Sequence, residues 1–185
     1  MNAYYLPNSL SIGGQKYALR SDFRAVLDVL VAFNDPELDD YAKQIVMLEI
    51  LLPEWKTIPE QHLQEACTKL VQFIDCGQKD DGKDHPRVID WEHDAGIIIP
   101  AVNSVAHTEI RVIPNLHWWT FFGYFMEIKE SLFSNVLSIR QKKAKGKKLE
   151  KWEQDFYKDN RAIIDFSTPE TEEIRAEKDS ILKYL

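Results

Sequence analysis

The 185-residue sequence predicts a mostly all-α protein, a single globular helical domain with a small N-terminal β-hairpin. Apolar residues recur at three- and four-residue spacing along most of the chain, which is the periodicity of helices with one buried face. A short stretch near the N-terminus instead has the pattern of a β-hairpin. Hydrophobic residues make up 44% and charged residues 29% of the chain, the balance of a globular rather than a disordered protein.

The hairpin is predicted over residues 8–19. Ile12 and Tyr17 flank Gly13 and Gly14, and two consecutive glycines supply the positive φ angles that a tight hairpin turn requires. Because a two-stranded hairpin is only marginally stable in water, we expect it to pack against the helices.

Three helices are predicted in the residues that follow. The first starts at Ser21, a good N-cap, and ends at the turn 34–36. The second runs over about 38–52. Its apolar stripe comprises Tyr41, Ile45, Leu48 and Leu52. The third has Pro59 in its first turn and Gly77 as its C-terminal cap.

An exposed polar loop at 78–86 precedes the second half of the chain. The later elements are predicted to be a helix over 88–106 that Pro100 kinks or splits, a β-like run at 110–113, an aromatic helix over 116–129, a basic loop at 140–148 and a C-terminal helical extension over 149–185. Six residues on the apolar stripes of three helices are expected to form one continuous core: Phe23, Leu27, Leu70, Val71, Trp118 and Phe122.

The overall charge and hydropathy limit the classes of function that this protein can have. The formal charge of −7 favours a soluble protein and disfavours bulk binding to nucleic acid or anionic membranes. No stretch approaches the roughly 20 apolar residues of a membrane helix. The N-terminus lacks the basic start and apolar run of a signal peptide. Cys67 and Cys76 are predicted to be free thiols of a reduced cytosolic protein.

No catalytic, cofactor or metal site is predicted. The five histidines lack a second ligand at metal-motif spacing, and the two cysteines match no zinc or redox pair. The enzyme hypothesis that we consider combines Asp90, Glu92, His93 and Asp94, but no motif gives these residues a defined mechanism.

Two regions are candidates for binding a protein partner. Trp118 and Trp119 are adjacent on a helix and therefore point about 100° apart. Trp118 is expected in the core and Trp119 at an edge, where tryptophan is enriched among binding hot spots. The second candidate is a narrow apolar stripe near the C-terminus, formed by Ile174, Ile181 and Leu182.

The stretch 140–151 is basic, with seven lysines or arginines and one acid. It supports the alternative function, a nucleic-acid-associated protein that binds phosphates through this segment. The absence of interleaved aromatic residues and the acidity of the chain favour a solvated loop instead. A contact with an acidic protein partner is a third interpretation. We predict no specific DNA or RNA binding.

The order of several short segments resembles a known family. A hairpin with a glycine turn is followed by SDFR at 21–24, NDPEL at 34–38, IPE at 58–60, FIDCG at 73–77, DWEHDA at 90–95 and LHWW at 116–119. This order resembles the bacteriophage gene-product-fifteen family of long-tailed phages and prophages of Gram-positive bacteria. The similarity covers roughly residues 10–145, and LHWW is among its most specific parts.

The resemblance implies a role in phage tail morphogenesis. Genes of this family lie between those of the major tail protein and the tape measure protein, a position typical of tail assembly chaperones. The implied partners are the tape measure protein and the major tail tube protein, and the implied location is the bacterial host cytoplasm during assembly. The resemblance carries no enzyme activity and no site residues to this chain. Both a monomer and a homo-oligomer are compatible with the sequence.

Overall fold

In the computed structural model, residues 2, 4–78, 82 and 86–166 are described. This part of the chain forms one helical domain with a two-stranded hairpin, as the sequence predicts. The elements are β1 (Ser9–Ile12), β2 (Gln15–Ala18), α1 (Phe23–Asn34), α2 (Asp40–Leu51), α3 (Leu63–Ile74), α4 (Ala95–Ala106), α5 (Trp118–Met126), α6 (Leu132–Ala144), α7 (Lys151–Asp159) and α8 (Arg161–Ile164). Short 3-10 helices span Trp55–Thr57, Glu60–His62 and Ile110–Val112.

The hairpin packs against α3 through both apolar and polar contacts. Its strands are antiparallel, and Leu10, Ile12 and Tyr17 are buried in the main core. The Gly13 N–H donates a 3.0 Å hydrogen bond to the Glu65 carboxylate, and Lys69 bridges that carboxylate and the carbonyl of Ser11. These bonds, first that from Lys69, lower the pKa of Glu65.

The two turn glycines differ in their surroundings, which gives a matched prediction. Both have positive φ (57° and 81°), so alanine at either position should cost about 1–2 kcal/mol of backbone strain. A Cβ on Gly13 would lie 2.6 Å from the His62 ring, whereas nothing lies within 4 Å of one on Gly14. We expect Gly13→Ala to lower the free energy of unfolding by about 1–3 kcal/mol more than Gly14→Ala. Equal midpoints in urea denaturation would contradict this docking of the turn on His62.

The start of α1 is fixed by Asp22 rather than by Ser21, the residue that we predicted as the N-cap. The Asp22 carboxylate accepts hydrogen bonds from the backbone N–H groups of Arg24 and Leu116. Beside it, the Phe23 N–H donates to the Leu116 carbonyl at 2.9 Å, and the Trp118 N–H donates to the Ser21 carbonyl at 2.7 Å. The beginnings of α1 and α5 are therefore joined, which places the aromatic helix against the core.

Several predicted boundaries were wrong where tertiary packing decides the conformation. The helix predicted from residue 88 begins at Ala95, because 86–94 form an irregular segment and a turn. Pro100 lies inside α4 and does not split it. The run 110–113 is not a strand, since Ile110–Val112 is a 3-10 helix. In α2, Tyr41 is exposed and does not join the buried stripe.

The end of α3 shows that a residue other than glycine can hold a left-handed position. Gly77 was predicted to be the cap, but Cys76 is the first residue with positive φ, 54°. The N–H of Gly77 donates to the Gln72 carbonyl, and the N–H of Cys76 donates to the Phe73 carbonyl. This is the hydrogen-bond pattern of a Schellman motif, with glycine one residue later than usual.

The predicted core is confirmed for most of its residues. Phe23, Leu70 and Trp118 are buried in the main cluster, and the side chains of Leu27 and Phe122 are partly buried against it. The prediction was wrong for Val71, whose side chain is 43% exposed. A second, smaller cluster joins α6 to α8 through Val136, Ile139 and Ile164.

The C-terminal half departs most from the predicted boundaries. The basic loop predicted at 140–148 was wrong for its first five residues, because α6 continues to Ala144. Gly146, with φ 62°, follows the helix end. Helices α7 and α8 occupy the first part of the predicted extension, and residues 167–185 lie outside the described residues, as do 79–81 and 83–85 of the predicted polar loop. Within the described parts of the chain, no helix is long and apolar enough to cross a membrane.

Candidate protein-binding surfaces

A groove of about 580 Å³ lies between α2 and α3 and is closed on one side by Phe33 at the end of α1. Each helix contributes one stripe of residues at positions i, i+3, i+4 and i+7, which is one face of a helix over two turns. The stripe on α2 comprises Asp40, Lys43, Gln44 and Met47, and the stripe on α3 comprises Gln64, Cys67, Thr68 and Val71.

The groove has an apolar floor and a polar rim. Met47 and Cys67 are buried at its base, whereas Val71 is substantially exposed on its wall. Desolvation raises the pKa of the Cys67 thiol, so this cysteine contributes as a small apolar side chain rather than as a nucleophile. The arrangement suits an apolar side chain of a partner better than a charged small molecule.

Sequence reasoning missed this groove, although a signal for it is present in α3. The apolar positions from Ala66 to Val71 cover about 140° of the helix circumference. The hairpin and the main core cover only the part of this arc centred on Leu70 and Ile74. Val71, at the far edge, is left without a cover in the described structure.

Trp119 lies at the edge of the core, as its position next to Trp118 predicts. Its indole N–H donates a 2.8 Å hydrogen bond to the Phe73 carbonyl, and its ring stacks on the Phe73 ring at 6.3 Å. Its side chain is therefore tied to α3 while part of its surface remains accessible. A contact with a partner at this position would use the exposed part of the ring and not the N–H group.

His117 links Trp119 to the N-terminal residues. Its Nδ1 accepts the Trp119 backbone N–H at 3.0 Å and so caps α5, which leaves Nε2–H to donate to the Pro7 carbonyl at 2.9 Å. Three large apolar side chains just before Pro7 are exposed: Tyr4, Tyr5 and Leu6. Together with Trp119 and His117 they form what we call the aromatic edge.

Two carboxylates of the enzyme hypothesis, Asp90 and Asp94, are held in ion pairs with arginines. The Asp94 carboxylate is fully buried and forms a two-pronged ion pair with Arg140, at 2.6 and 2.8 Å. Asp90 accepts the N–H groups of Glu92 and His93 and pairs with Arg87. Partial burial opposes ionisation of Asp90, but these donors lower its pKa. Among the described residues, no cluster of three or more His, Cys, Asp or Glu side chains could hold a metal ion.

Within the basic stretch 140–151, Arg140 differs most from the predicted solvated cation, because it is buried and paired. Its Nε donates to the Ile164 carbonyl, and its two terminal nitrogens donate to the carbonyls of Val88 and Ile163 as well as to Asp94. The guanidinium also lies 4.2 Å above the Phe166 ring. All its donors are used within the protein, so Arg140 is unavailable to a phosphate.

The second cysteine, Cys76, is partly buried just after the end of α3. Desolvation, together with the charge of Asp75, raises the pKa of Cys76 to about 12, so its thiol stays protonated at neutral pH. The C-terminal partner-binding candidates Ile174, Ile181 and Leu182 lie outside the described residues.

The fold and its surfaces define a small helical-domain protein with an N-terminal hairpin and a groove between two helices. The chain belongs to the Bacteriophage Gp15 protein family, whose sequence model matches residues 4–165. It is therefore a bacteriophage protein, and both the groove and the aromatic edge lie inside the matched region. No curated protein and no solved structure matches the chain.

Proposed function

We propose that this protein acts in phage tail morphogenesis as a tail assembly chaperone that binds the tape measure protein or the major tail tube protein. It works by binding and not by a chemical reaction. The observation that carries the proposal is the groove between α2 and α3. Membership of the phage family and the resemblance described above supply the tail context.

The dimensions of the groove suit an amphipathic helix. Helices α2 and α3 have 12 residues each, about 18 Å of helix, so a partner helix of roughly three turns could lie along them. Apolar residues of such a helix at i, i+3, i+4 and i+7 would contact Met47, Cys67 and Val71. Tape measure proteins are long and helical, and a chaperone must cover their apolar faces. The net charge of −7 would keep such a complex soluble.

Val71 provides the most direct test of the groove. Val71→Arg places a long charged side chain on the groove wall at a position that is already 43% exposed, so the fold should tolerate it. We expect the Kd for a tape measure or tail tube fragment to rise at least about tenfold, since an apolar contact is lost and a charge must be desolvated. Calorimetry or pull-down with the co-expressed tail proteins measures the change.

Val112→Arg is the matched control, because Val112 is 73% exposed and lies outside the groove. It should bind like the unmodified chain, and both variants should melt within a few degrees of it. Equal binding by the two variants would remove the groove from the proposal. No binding of either tail protein by the unmodified chain would remove the chaperone function itself.

Trp119, on the aromatic edge, is the second proposed contact. Because its ring stacks on Phe73 and its N–H group is bonded internally, Trp119→Ala should lower the free energy of unfolding by about 1–3 kcal/mol. If the edge also binds a tail protein, pull-down at a temperature where the variant is fully folded should be weakened by about 2 kcal/mol or more. Unchanged binding under those conditions would assign Trp119 a structural role only.

A further inference from the structure

Four exposed lysines form a basic patch beyond the end of α6: Lys145, Lys147, Lys148 and Lys151. The other cations of the stretch 140–151 are satisfied, since Arg140 binds Asp94, Lys142 binds Glu153 and Lys143 binds Asp165. Within the described residues, the four patch lysines form no ion pair. The chain as a whole is acidic, with a net charge of −7, and the contacts within the described residues do not account for this group of four positive charges.

Just after α8 the chain contacts the C-terminal part of α6, which leads into the patch. The Asp165 carboxylate lies 2.6 Å from the Lys143 ammonium and also accepts the hydroxyl of Tyr157 at 2.7 Å. Partial burial opposes its ionisation, but the bonds from Lys143, Tyr157 and Arg161 lower the pKa of Asp165 to about 2. Phe166 follows under the Arg140 guanidinium. The last described residues, Asp165 and Phe166, therefore contact the C-terminal part of α6, and Lys143 lies two residues before the first patch lysine.

We propose that the acidic segment 167–185 of the same chain binds the basic patch and shields it. Glu170, Glu172 and Glu173 precede the first base of the segment, Arg175. These three glutamates lie four to seven residues beyond Phe166, so the backbone can carry them roughly 13–25 Å. Lys143, which Asp165 contacts, precedes Lys145, Lys147 and Lys148 by only two to five residues. Glu172 and Glu173 are adjacent in sequence, and their negative charges match the positive charges of the adjacent pair Lys147 and Lys148.

Because the acidic segment belongs to the same chain as the patch, weak ion pairs are sufficient for it to bind there. Individual surface ion pairs are weak in salt, but a segment attached beside its site has an effective concentration in the millimolar range. A nucleic acid lacks this advantage and meets a protein of charge −7. It would also meet the Glu150 and Glu153 carboxylates that lie next to Lys142. The observations therefore favour the chain's own acidic segment as the occupant.

The test measures how fast the patch lysines react with an amine-acylating reagent in the full chain at physiological salt. Modification of Lys145, Lys147, Lys148 and Lys151 is followed by mass spectrometry, with exposed Lys16 of β2 as the internal reference. In the triple variant Glu170→Gln, Glu172→Gln and Glu173→Gln, acylation of the patch relative to Lys16 should rise about two- to fivefold. Lys16 itself should be unchanged.

A variant with the same change in net charge separates contact from general electrostatics. Asp28→Asn, Glu49→Gln and Glu54→Gln neutralise three exposed acids on and after α1 and α2, and this variant should leave patch acylation unchanged. Equal acylation in the two triple variants would overturn the proposal. Protection that disappears on dilution would also overturn it, since the occupant would then be a second copy. Sub-micromolar binding of a DNA duplex by the unmodified chain at physiological salt would assign the patch to nucleic acid instead.

Discussion

Arg140→Ala is expected to lower the free energy of unfolding by about 3–5 kcal/mol, one of the two largest effects of a single substitution that we predict. The reason is that the fully buried Asp94 carboxylate would lose the only ion-pair partner described for it and remain as an uncompensated buried charge. The same substitution leaves the carbonyls of Val88, Ile163 and Ile164 without the guanidinium donors that join the segment before α4, α6 and the end of α8. Urea denaturation followed by circular dichroism measures the loss.

Two comparisons separate the buried pair from a general charge effect. Arg161→Ala removes an exposed arginine whose ion-pair partner is Asp165, and it should cost at most about 1 kcal/mol. Arg140→Lys keeps the charge but not the planar fork that reaches both Asp94 oxygens and the carbonyls, so it should recover only part of the loss. If Arg140→Ala and Arg161→Ala destabilise equally, the buried pair is not the connection that we describe.

The contrast between Arg140 and its neighbours shows where sequence reasoning stops. The stretch 140–151 has the composition of a solvated basic loop, and composition predicts that all its cations face solvent. The partner of Arg140 is Asp94, 46 residues earlier in the chain. Nothing local distinguishes this arginine from the lysines that follow it. A buried ion pair between distant segments is decided by the packing of α4, α6 and α8, which the pattern of one segment does not encode.

Local signals did predict the elements whose formation depends on a few adjacent residues. The two glycines fix the hairpin register, because their positive φ angles select the turn. The apolar periodicity of α1 and α3 and the aromatic run of α5 identified these helices and most of their buried residues. Boundaries failed where contacts between distant segments decide them. The aromatic helix, predicted from Leu116, begins at Trp118 with His117 as its cap, and the Leu116 N–H donates instead to the Asp22 carboxylate.

The candidate groove was harder to predict than the fold for a physical reason. A residue such as Val71 satisfies the periodicity of a buried face, and periodicity does not say how much of that face its neighbours cover. The hairpin and α2 both pack against α3, and the far edge of the apolar arc, at Val71, remains open in the groove between α2 and α3. Val71 fits the apolar stripe of α3 and yet remains exposed, and it lines the groove on which the binding proposal rests.

Trp118→Ala is the second substitution with a large expected effect, a loss of about 3–5 kcal/mol in the free energy of unfolding. Trp118 is 1% exposed, its ring stacks on Phe121 at 5.6 Å, and its edge contacts Trp91. Its indole N–H donates a 2.8 Å hydrogen bond to the Ile74 carbonyl at the end of α3. Truncation would leave a cavity at the junction of α3, α5 and the segment before α4, and a buried carbonyl without its donor.

The two parts of this loss can be measured separately. Trp118→Phe retains most of the apolar volume but removes the N–H donor, so it should cost about 1–3 kcal/mol, less than alanine does. Trp152→Ala removes a tryptophan that is half exposed on α7 and should change stability by less than about 1 kcal/mol. Comparable melting of Trp118→Ala and Trp152→Ala would show that the ring contacts of Trp118 with Trp91 and Phe121 do not hold the domain together. A large loss for Trp118→Ala together with the smaller, separable effect of Trp119→Ala would instead show that these adjacent tryptophans have different roles, one in folding and the other at the surface.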